Sequence, residues 1–95
     1  MDVNPINYNL TFEPDLKKFT FNGIESITAD CKKLTNSITM HCAELKIISC
    51  QVTSKGNIIK SSPKTNEKKE ELEIKLSEKV KGEITIDLKF QGILN

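Results

Sequence analysis

Apolar and polar residues alternate with a period of two in six separate segments of this 95-residue chain. Such a pattern fits extended strands with one apolar and one polar face, and it restricts the chain to an all-β fold. Ile6, Tyr8, Leu10 and Phe12 share one parity, as do Phe19, Phe21, Ile27, Ala29 and Cys31 in a longer second segment, with Glu13-Pro14-Asp15 as the turn between them. Ile38, Met40 and Cys42 follow, then Ile48, Cys50 and Val52, and finally Ile84, Ile86, Leu88 and Phe90. Parallel sheets buried on both faces read as continuous apolar runs, so this alternation predicts an open, mostly antiparallel sheet or a β-sandwich covered on one side.

One stretch departs from the pattern, and the sixth alternating segment is ambiguous. Residues 54–70 hold Ser54-Lys55-Gly56-Asn57, Ser61-Ser62-Pro63-Lys64-Thr65-Asn66 and a Lys/Glu run with little apolar content beyond Ile58 and Ile59, which predicts a long mobile loop. From Glu67 to Lys81, Leu72, Leu76 and Val80 are spaced for a helix and Leu72, Ile74 and Leu76 for a strand. Strand is preferred, because the helical stripe is one residue wide and leaves Ile74 in water.

The length allows one domain, residues 1–95, with a thin core: roughly two-thirds of the unfolded chain's surface is buried at this size. Fourteen basic against thirteen acidic residues, five aromatics and no Trp offer neither a phosphate-tracking surface nor a base-stacking platform, so no nucleic-acid partner is expected. Lys68, Lys69, Lys79 and Lys81 are interleaved with glutamates. No apolar run approaches the roughly 18 residues of a membrane span, and Met1-Asp2-Val3-Asn4-Pro5 does not open like a secretory signal, so the expectation is a cytoplasmic protein with no membrane contact. In that setting the sequon Asn9-Leu10-Thr11 carries no sugar, and Cys31, Cys42 and Cys50, an odd number without a C-x-x-C, stay as thiols.

Candidate chemistry fails on pattern. His41 and Cys42 are adjacent on a strand and point to opposite faces, and the spacing from Cys42 to Cys50 fits no zinc module; a metal site from His41, Cys42, Cys31 and Cys50 is therefore rejected. One histidine and scattered hydroxyls give no nucleophile with its base. Glu67, Glu70 and Glu71 lie in a charged run that reads as a solvated face, and Gly23, Gly56, Gly82 and Gly92 are isolated turn or bulge positions with no phosphate loop among them. No residue is assigned a catalytic, cofactor-binding or metal-ligating role.

The order of three segments carries a resemblance. Ile6-Asn7-Tyr8-Asn9-Leu10, then Phe19-Thr20-Phe21-Asn22-Gly23 running into Glu25 to Ala29, then Ser37-Ile38-Thr39-Met40-His41-Cys42-Ala43-Glu44-Leu45-Lys46-Ile47 resemble the opening strands of the zinc aminopeptidases of the aminopeptidase-N and puromycin-sensitive type. The likeness is strongest over residues 5–53, and Phe90-Gln91-Gly92-Ile93-Leu94-Asn95 resembles the point where family members continue into further strands. The resemblance implies the first half of a saddle-like N-terminal β domain, truncated, that braces a thermolysin-like catalytic domain. That domain, in cis or as a separate chain, would be the partner, would hold the zinc in an HExxH motif, and would remove N-terminal amino acids from peptides. This chain contains neither HExxH nor GAMEN, so it is expected to be no enzyme alone and to bind no cofactor itself. The alternative is a stand-alone β-sandwich interaction module. A sheet cut in mid-domain also has an unpaired edge through which it self-associates.

Overall fold

Alternating segments make strands, and the computed structural model shows six of them in the described residues, 3–93, with side chains described from Ile6 onward. In chain order they are β1 (Val3–Asp15), β2 (Thr20–His41), β3 (Lys46–Ser54), β4 (Asn57–Ile59), β5 (Ser61–Asn66) and β6 (Glu71–Ile93). All pair antiparallel in one sheet of order β1-β2-β6-β3-β4, with β5 beside the first half of β6. The fold is all-β and the sheet is open, as the alternation predicts.

The divisions differ from the expected ones. The segments around Ile27 and Ile38 belong to one 22-residue strand, and those around Ile74 and Ile86 to one 23-residue strand. At about 3.3 Å per residue such strands would run roughly 70 Å if straight. The longest dimension of the molecule is 43 Å, so both strands bend. The bend lies where the β2–β6 register slips: from Cys31↔Gly82 to Ser37↔Lys75, six steps along β2 stand against seven along β6. The odd difference flips the parity of β2. Ile27, Ala29 and Cys31 face the core before it, Ile38 after it. Thr35 holds the irregular backbone, its hydroxyl donating to the Ser37 carbonyl at 2.9 Å and accepting from the Ser37 amide at 3.2 Å.

Ile74 and Val52 are completely buried in a chain with no helix among the described residues, which requires the sheet to cover itself. Side chains from both sides of the bend, including Ile27, Ile86 and Leu88 from one arm and Ile38, Leu72 and Ile74 from the other, form a single core cluster.

Residues 54–70 are not a loop throughout. Lys55 and Gly56, with φ of 52° and 79°, make a two-residue hairpin turn that returns the chain as β4, placing Ile59 opposite Val52 in the core. β5 then pairs with β6 from Ser61↔Leu76 to Asn66↔Glu71. Its sequence SSPKTN has no apolar face to betray it; backbone pairing to β6 and the Ser61 hydroxyl, which donates to the Cys50 carbonyl at 3.4 Å, hold it in place. The first turn is also displaced. β1 continues through Pro14 to Asp15, whose carboxylate accepts from the amides of Lys17 at 3.0 Å and Lys18 at 3.2 Å, so the turn is residues 16–19 and Phe19 leaves the strand at φ 54°. A bulge between Ile47 and Ser49 exchanges two neighbours: Ile47 packs against the core and Ile48 is exposed.

At the far end of the first arm, aromatic rings fill the space over two glycines. Phe21 stands opposite Gly92 and Phe90 opposite Gly23. A Cβ added at either glycine would come within 2.3 Å of the ring across from it. Phe12 lies 4.8 Å from Phe21 between centroids, and Phe21 meets Phe90 edge-on at 6.4 Å.

Candidate functional site

The bend returns the ends of β2 and β6 toward each other and leaves a cleft of about 760 Å³ between the arms. One wall is Thr20, Leu45 and Gln91; the other is Cys42, Glu67 and Glu70. The Cys42 amide donates to the Glu70 carbonyl at 2.7 Å and ties the second wall together. The lining offers carboxylates, one lysine and a thiol, and burial pushes the Cys42 thiol up from its ordinary value, so it is no better a nucleophile than a free cysteine. Cys31 is raised likewise, by burial first and the Asp30 carboxylate second. For Cys50, burial again dominates; the Ser61 hydroxyl, 3.9 Å from its sulfur, opposes it, and Asp87 adds to it.

His41, the single histidine, is exposed on β2 opposite Glu71, while the neighbouring Cys42 packs against the core. The two side chains do not converge. Among the described residues no three His, Cys, Asp or Glu side chains come together as a metal-binding group, so these residues offer zinc no donor set and no chemical step is derived through it.

The second feature is a surface. Tyr8 pairs with Ile27, Leu10 with Glu25 and Phe12 with Gly23, so the even side chains of β1 share a face with the core residues of β2. Among the described residues nothing covers them: Tyr8 is 57 % exposed, Leu10 55 % and Phe12 52 %. The apolar face expected of the first strand exists but is not a buried one, and Ile6 falls at a bulge between Pro5 and Asn7. Glu25 sits on this same face between Leu10 and Leu88, and burial pushes its carboxyl upward. Glu25 has the parity of Ile27, and no role is expected of it from sequence.

Comparison with known proteins adds two findings. The model of the peptidase M1 N-terminal domain matches residues 4–95. Aminopeptidase 2 of Candida albicans is 34 % identical over 55 residues, a stretch that makes up 58 % of this chain and 6 % of that protein.

Proposed function

Because the chain belongs to the peptidase M1 N-terminal domain family, we propose that it serves as the non-catalytic N-terminal β domain of a zinc aminopeptidase, a cytoplasmic hydrolase that removes N-terminal amino acids from peptides. In this reading the bent sheet packs against the catalytic part and walls one side of its substrate cleft. The zinc belongs to that catalytic part, whose water-activating chemistry needs donors these residues do not supply. The observation that carries the reading is the family match over nearly the whole chain. Three cysteines, an odd number without a C-x-x-C, suit a reducing compartment.

The test is capture from the source cell with an antibody against residues 6–53, followed by intact-mass measurement and an aminopeptidase assay with and without chelator. A captured product or complex several times heavier than 10.7 kDa, with chelator-sensitive release of N-terminal residues, is the expected result. A 10.7-kDa product with no heavier partner and no activity overturns it and leaves the interaction-module reading.

A further inference from the structure

The edges of the sheet are protected unequally: the outer side of β2 beyond Cys31 opens with Lys32 and Lys33, and that of β3 before Val52 opens with Lys46. β4 is three residues long and lies between Lys55 and Lys60. β5 carries Pro63 and Lys64 and no apolar side chain besides the proline ring. Short length, lysine and proline are the devices that keep edge strands from pairing with other chains. β1 is 13 residues long and has no lysine or arginine. Its bulge at one end and Pro14 at the other bracket seven residues, Asn7 to Glu13, in unbroken register with β2. Among the described residues the opposite side of that stretch pairs with nothing.

We infer that this stretch of β1 is a homodimer edge, and that two copies of the chain pair it antiparallel about a two-fold axis at Leu10, joining two sheets into one. Seven residues have one antiparallel self-pairing that uses them all. It sets Leu10 against Leu10 of the second copy and Tyr8 against its Phe12, so the exposed apolar side chains meet on one face. On the other face Asn9 meets Thr11, and Asn7 meets Glu13. The charge pattern selects this direction. Glu13 is the sole charged residue of the stretch; a parallel, in-register pairing would stack two carboxylates, whereas the antiparallel one holds them roughly 20 Å apart, six residues along the ladder, each beside an amide donor. An interface this small lies below the roughly 1,200 Å² of a standard complex, so the dimer is weak and concentration-dependent. The inference goes beyond the M1 reading and stands or falls separately from it.

Sedimentation of the 95-residue chain from about 1 to about 200 µM, the range in which weak interfaces associate, tests it. The expected result is a mass rising from 10.7 kDa to twice that, and Leu10→Lys, with unchanged circular dichroism, stays at the monomer mass throughout. Register is read by cross-linking. Leu10→Cys oxidises to a disulfide dimer because directly opposed residues fall within disulfide reach, while Tyr8→Cys, about 13 Å from its copy, does not; wild type, with its three native thiols, is the control. A monomer at every concentration, a dimer that survives Leu10→Lys, or cross-linking at Tyr8→Cys in place of Leu10→Cys overturns the proposal. The cross-linking pair decides the matter if Leu10→Lys does not fold.

Discussion

In β6, every second residue from Leu72 to Leu76 and from Ile84 to Leu88 is buried, whereas in β1 the same alternation leaves Tyr8, Leu10 and Phe12 more than half exposed. The difference lies in the neighbours. β6 has β2 along one side and β5 and β3 along the other, and the bend lays one arm of the sheet over its core face. Among the described residues β1 has one neighbour, and its apolar face lies outside the covered region. Alternation therefore specifies which side chains share a face; coverage of that face depends on strand order and on the bend.

The largest expected effects break the comparison on its buried side. Ile74 is completely buried, and Ile74→Ala should lower unfolding free energy by about 2–5 kcal/mol through lost burial and the cavity left behind. Leu10→Ala removes a similar side chain from the same type of pattern, yet should change monomer stability by no more than about 0.5 kcal/mol. Urea denaturation of both variants, at concentrations below association, checks the pair. Equal losses would mean that β1 is covered in solution.

An intermediate effect is expected where the two regions meet. A Cβ at Gly92 would stand 2.3 Å from the Phe21 ring and 3.1 Å from Leu45 Cδ2. Gly92→Ala forces the ring to move, and overpacking of this kind costs about 1–3 kcal/mol. In a Phe21→Ala background the added methyl has room, so the penalty of Gly92→Ala should largely vanish; a double-mutant cycle by thermal unfolding reads the coupling.

Much of this architecture was legible from residue parity, and the failures have physical causes. The core positions Ile27, Ala29, Cys31, Ile38, Leu72, Ile74, Ile84 and Ile86 all follow from alternation, because one-sided burial is what alternation encodes. The change from odd to even parity between Cys31 and Ile38 marks the bulge, but in sequence it is indistinguishable from a break between two strands. β5 left no signature because an edge strand with exposed side chains needs no apolar face to pair. Ile48 was misplaced by a bulge that no residue type announces. The candidate surface was legible as a stripe on β1, and its exposure was not, since exposure depends on what lies beside the strand. The cleft joins residues as distant as Thr20 and Glu70, and only the bend brings them together.

The smallest effect sharpens the comparison at the boundary itself. Glu25 is the charged residue that interrupts the core face between exposed Leu10 and buried Leu88, and burial raises its carboxyl pKa. A raised carboxyl favours the protonated form in the fold. Its contribution to stability is fully present below the ordinary carboxylate pKa and is lost as pH rises through the raised folded value. Glu25→Gln removes that titration while keeping shape and polarity. The variant should therefore unfold at a slightly higher temperature than wild type at pH 7, and the difference should close below about pH 4, where an ordinary carboxyl is protonated. A pH-independent gain would assign the effect to packing, and a loss at neutral pH would mean that the Glu25 carboxylate has a cationic partner on this face in solution.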